Sequence, residues 1–166
     1  HVPYTIENFH GKLASKCPLF TSEKVGFVSA HRFFDGPFDV EDVLAFCDAH
    51  GGDGSFREMI VMDAVMTNVD RHAGEILRMA PLFDQNMACL PMMMEHDDFD
   101  EYLSMIGPKI GASFVSIARA LITSDIRAKL VALKDFEYTD PGMGYPAWKL
   151  AAVNRCKDRM IADILA

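Results

Sequence analysis

The sequence has no apolar run near the roughly 18 residues that a bilayer crossing requires. Nor does it open with a basic stretch followed by a hydrophobic one, so neither a membrane span nor a secretory leader is expected. Basic charge is short: 16 Lys and Arg against 24 Asp and Glu leave a net charge of −8, the wrong sign for a surface held on nucleic-acid phosphates. The four cysteines, Cys17, Cys47, Cys89 and Cys156, are far apart and form no C-x-x-C pair. That removes the patterns of a zinc knuckle or a dithiol redox centre and leaves buried free thiols as the reading. Glycine and proline number only 11 and 8, which excludes collagen-like and low-complexity chains. No internal repeat is visible. With half of its 166 residues hydrophobic, the chain reads as one soluble domain, 1–166, expected in the cytoplasm. It starts at His1 rather than Met, and is expected to begin inside a longer product or to have been processed.

What is present divides into a short β-rich opening and a long helical remainder. From 1 to 34 the pattern alternates loosely and is broken by turn residues, as at Asn8 to Gly11, which predicts two or three short antiparallel strands. After the breaker Asp35-Gly36-Pro37, Asp39 is placed to cap a helix carrying Val40, Val43, Leu44 and Phe46 up to Gly51-Gly52. Ser55 with Glu58 matches a capping box. The apolar residues from Phe56 through Met59, Ile60, Val65 and Val69 then predict a helix buried nearly all round. Further helices are expected at 99–106, 113–122, 124–133 and 146–165. Eleven methionines, Met92-Met93-Met94 among them, read as adaptable core or lobe-contact filler. Tyr145 and Trp148 read as core. The acidic run around His96-Asp97-Asp98 reads as the solvated start of a helix. The fold class is α+β, mostly helical, with a small N-terminal sheet.

The buried helix runs straight into the most polar cluster of the chain, Asn68-Val69-Asp70-Arg71-His72. A second carboxylate, Asp84, ends the apolar run Ala80-Pro81-Leu82-Phe83. A carboxylate at the end of an apolar segment is costly unless paired or used. Phosphoryl transfer uses two such groups, one to orient the attacking hydroxyl and one to hold Mg²⁺ on the nucleotide phosphates. On spacing alone the same residues also read as structure, with Asp70 capping a turn, Arg71 in a local ion pair and Asp84 opening a loop.

The stretch Met62-Asp63-Ala64-Val65-Met66-Thr67-Asn68-Val69-Asp70-Arg71-His72, followed by Ala80-Pro81-Leu82-Phe83-Asp84, resembles the catalytic and metal-binding segments of HipA-like protein kinases. Flanking stretches, Ser15 to Thr21 and Phe38 to Leu44, are similar to the end of that family's N-lobe sheet and its next helix. The resemblance implies a remnant of the N-lobe sheet over 1–34 and a helical C-lobe over 35–166. It implies ATP and Mg²⁺, with Asp70 orienting or deprotonating a protein Ser/Thr hydroxyl and Asp84 ligating the metal. Asn68 and His72 would brace the loop, and Arg71 would hold backbone or a phosphate. A protein substrate, an antitoxin-like partner and a place in a toxin–antitoxin pair follow from the same resemblance.

The chain departs from that pattern in three places. Glu75 stands where the family has a second metal-binding Asn. The family's hairpin between catalytic loop and metal aspartate lacks its first strand here, which points to a gap between Gly74 and Glu75, either a true deletion or residues missing from the sequence. No glycine-rich loop precedes Asp70, and Lys12, Lys16 and Lys24 follow no strand motif that would make them phosphate clamps, so the nucleotide-binding residues stay unassigned. The chain on its own is therefore expected not to transfer phosphate. Two other readings stay open: a non-catalytic pseudokinase or interaction module, and a small-molecule or lipid kinase, because Asp-Arg-His loops also occur in phosphoinositide-kinase relatives.

Overall fold

The computed structural model describes residues 5–16, 18, 23, 34, 39–50, 53–70, 87–109, 113–140, 142 and 144–166. Over these the chain is mostly helical with one antiparallel hairpin, β1 (Thr5–Phe9) and β2 (Lys12–Lys16). The hairpin turns through His10 and Gly11, both at positive φ (52° and 78°), the combination whose twist matches that of the flanking strands. Asn8 Oδ1 accepts from the Gly11 amide at 2.9 Å, and Glu7 pairs with Lys16 at 2.9 Å. None of the described hairpin residues belongs to the hydrophobic core.

Among the described residues six helices follow: α1 (Val40–His50), α2 (Asp53–Val65), α3 (Phe99–Met105), α4 (Phe114–Leu121), α5 (Ser124–Leu133) and α6 (Ala147–Leu165). Their starts are chemically marked. Asp39 and Asp42 cap each other's amides at 3.0 Å, Asp98 caps α3, Ser113 and Ser116 form a reciprocal box on α4, and Thr123 caps α5. Each satisfies an amide that lacks an intrahelical partner. Pro146 opens α6, where its missing N–H costs nothing.

Helix α2 is the centre of the molecule, packed against α1, α4 and α6, and α6 in turn packs on α4 and α5. Phe56, Val61, Leu90, Ala118 and Ile161 are sealed in one core, at roughly 1.5–3 kcal/mol for each large apolar side chain buried. Two lysines of α6 tie loops to this core. The Lys157 ammonium, 2% exposed, donates to the carbonyls of Leu133, Lys134 and Phe136 at the end of α5 and just beyond it. Lys149 donates to Leu90 O and Met93 O.

Several expectations need correction. Helix α2 begins at Asp53, so Ser55 lies inside its first turn rather than at its cap. Glu58 instead pairs with Lys129 of α5 at 2.6 Å. The helix ends at Val65, not Val69. Of the three methionines only Met93 is buried, while Met92 and Met94 are exposed, and Tyr145 is exposed rather than in the core. Cys156 is buried but Cys89 only half so. The side chains of Cys17 and Cys47 lie outside the described residues. Among the described residues no helix is long and apolar enough to cross a membrane.

Candidate functional site

The turn that ends α2 carries the polar cluster. Thr67 N–H bonds to Ala64 O at 3.2 Å and Asn68 N–H to Asp63 O at 2.9 Å, the paired 5→2 and 6→1 bonds of a Schellman termination. Such a turn needs a left-handed residue, usually glycine, yet this one has Thr67 at φ 48°. A β-branched residue there costs roughly 1–2 kcal/mol. Thr67 is 1% exposed, its hydroxyl donates to Met66 O at 2.8 Å, and the Cys156 thiol of α6 approaches it at 4.0 Å. Burial against α6 is what offsets the backbone strain.

Asn68, 2% exposed, is the brace. Its Nδ2 donates to Asp63 Oδ1 at 3.0 Å, and its Oδ1 accepts from the Asp70 amide at 3.2 Å. One buried amide thereby joins the last turn of α2 to the backbone of Asp70. From behind, the segment 87–89 runs antiparallel to the loop, with Val69 N–H to Met87 O at 3.2 Å and Cys89 N–H to Met66 O at 2.7 Å. Cys89 and Leu90 then sit at φ 60° and 59°. Three left-handed non-glycine residues so close together are a concentration of backbone strain of the kind found at functional sites.

Asp70 lies at the rim, its side chain about one-third exposed, and its Oδ1 accepts from Lys109 Nζ. Lys109 arrives from the α3–α4 connection, and the preceding Pro108 lines a cavity of about 20 Å³ together with Asp63 and Asn68. Burial pushes the Cys156 thiol up to about 11. Burial, then the neighbouring Cys89 and Cys156, pushes the Tyr138 hydroxyl up to about 12. Desolvation also raises the Cys89 thiol. At neutral pH these groups stay protonated, so neither described thiol offers the thiolate that a nucleophile needs.

Of the residues singled out in the sequence, Asn68 and Asp70 are brought together as described. Arg71, His72 and Asp84 lie outside the described residues, as do Glu75, the Gly74–Glu75 junction and Lys24. Lys16 is paired with Glu7 on the hairpin surface. Asp97 accepts from Met94 N–H at 2.7 Å and Asp100 pairs with Arg155 and Arg159. Among the described residues no three His, Cys, Asp or Glu side chains come close enough to share a metal ion. Three residues had no role assigned from the sequence: Asp63 and Thr67, which appear there only within the motif stretch, and Lys109. Asp63 could have been found as the lone charge within the apolar stripe of α2, whereas Lys109 has no local signal. No family model matches the chain, and neither a curated protein nor a solved structure matches it.

Proposed function

We propose that this chain is the catalytic lobe of a HipA-like serine/threonine kinase, transferring the γ-phosphoryl of ATP to a protein hydroxyl. The observation that supports this reading most is the Asp70 loop. A buried helix ends in a strained, doubly braced turn whose product is one fixed carboxylate at the surface. A turn needed only to reverse the chain would use glycine at Thr67 and an apolar residue at Asn68. Phosphoryl transfer is mostly positioning, and this loop is built to position.

In the proposed reaction the acceptor oxygen forms its bond to the γ-phosphorus as the bond to the bridging oxygen breaks, that electron pair leaving with ADP. The hydroxyl proton passes to Asp70. Asn68 holds the backbone under Asp70 through its amide. Asp70 Oδ1 is engaged by an ammonium, and the hard oxygen donor for Mg²⁺ is the carboxylate of Asp84, the role that the resemblance implies for it. The metal, when bound, neutralises charge on the β- and γ-phosphates. Arg71 and His72 keep the supporting roles that their place in the motif implies.

The test is Asp70→Asn in the full gene product, since no glycine-rich loop precedes Asp70 in this chain. Radiolabel transfer to protein should fall roughly 10²-fold or more with nucleotide affinity kept, whereas Asp84→Asn should weaken Mg²⁺-dependent nucleotide binding in calorimetric titration. Wild-type turnover in the Asp70 variant would remove the assignment. A second reading, a non-catalytic module that binds an antitoxin-like protein, draws support from the exposed Met92, Met94 and Met105, a soft apolar surface of the type used in adaptable binding. Partner binding that survives Asp70→Asn, with no transfer by the wild type, would select it.

A further inference from the structure

We propose that Lys109 is a positioning residue for the Asp70 carboxylate in the transfer reaction, an inference that rests on the kinase reading above. The two side chains stand 39 residues apart in sequence and meet through Lys109 Nζ and Asp70 Oδ1. They are 46% and 36% exposed, and an ion pair so open to water contributes little to folding. Stability therefore does not account for bringing it together.

Its placement is not accidental either. Pro108, whose ring fixes φ, lines the same small cavity as Asp63 and Asn68. The backbone that delivers the ammonium is thus seated on the same buried unit that fixes the backbone of the carboxylate. Asn68 holds the Asp70 main chain, and Lys109 engages one oxygen of its carboxylate. An aspartate has two side-chain torsions, and an amide brace on its own N–H restrains neither. A donor on Oδ1 that comes from a separately anchored loop restrains both. Orientation of this kind affects the chemical step rather than nucleotide binding.

The experiment is a kinetic cycle on the full gene product, with ATP and a generic protein acceptor. Lys109→Met should lower kcat roughly tenfold with KM for ATP unchanged, and Lys109→Arg should restore most of the rate, because a guanidinium can donate to the same oxygen. In an Asp70→Asn background Lys109→Met should add no further loss, since it acts through that carboxylate. A Lys109→Met enzyme as fast as wild type, or one that multiplies the Asp70→Asn defect, overturns the proposal while leaving the kinase reading intact. A wild type with no transfer removes both. If Lys109→Met does not fold by circular dichroism, Lys109→Gln takes its place in the cycle, and failure of both to fold assigns Lys109 a structural role and also overturns the proposal.

Discussion

Removing the Asn68 side chain tests the brace directly. Asn68→Ala deletes a donor to the Asp63 carboxylate, which is 6% exposed, and an acceptor for the Asp70 amide. A hydrogen bond to a buried charged group contributes about 1.5–3 kcal/mol and a neutral one about 0.5–1.5 kcal/mol. Alanine fits the helix end, so backbone strain adds little, and the expected loss is about 2–4 kcal/mol. For a urea slope of about 2 kcal/mol per M that is a midpoint shift of roughly 1–2 M with the slope unchanged. Far-UV circular dichroism through a urea series reads it. Asp63→Ala and the double variant complete a cycle whose coupling should reach at least about 1 kcal/mol. A midpoint shift below about 0.3 M, or additive single losses, would show that water replaces the brace at no cost and that the buried amide does not hold the loop.

Two further outcomes follow from α6. Lys157→Met removes the donor shared by Leu133, Lys134 and Phe136 carbonyls, and should cost about 2–4 kcal/mol in thermal denaturation, since unsatisfied carbonyls outweigh the relief of burying no charge; a variant that melts at or above wild type refutes this. The Cys156 thiol is raised by burial to about 11 from 9.0, so between those values the unfolded chain has lost a proton that the folded chain keeps. Stability conferred by this group is then present below about pH 9 and is lost as pH rises towards about 11, by roughly 2–3 kcal/mol. Cys156→Ser should flatten that alkaline limb of a stability–pH curve, and an unchanged limb would refute the assignment.

The helical ends that carry local chemistry were legible in the sequence. Asp39 caps α1, the α5 limits Ser124–Leu133 match, and α6 starts beside Pro146. The end of α2 was not. The apolar spacing continues to Val69, but Val69 packs against the core from the loop after α2, its amide on Met87 O, and apolar periodicity does not distinguish this from a further helical turn. Thr67 hid the termination, because the residue type that announces a left-handed position is glycine. Ser55 and Glu58 match a local capping motif, but α2 starts two residues earlier, at Asp53. At the site, the switch from apolar to polar residues exposed Asn68 and Asp70. Lys109 stayed invisible, since nothing within a helical or strand window connects it to Asp70.

Two of the contacts behind the Asp70 loop come from α6. Cys156 reaches Thr67 across 89 residues, and Lys149 holds the Leu90 carbonyl across 59. Contacts of such long sequence separation form only after the entropy of closing the intervening loop has been overcome. Local bonds close the turn at Thr67, but the burial that offsets its left-handed strain comes from α6. Helix α2 can then form early, whereas its last turn gains its full support only when α6 docks. A chain without docked α6 carries the residues of the site with only their local bonds, so completing the loop geometry is coupled to the packing of α6.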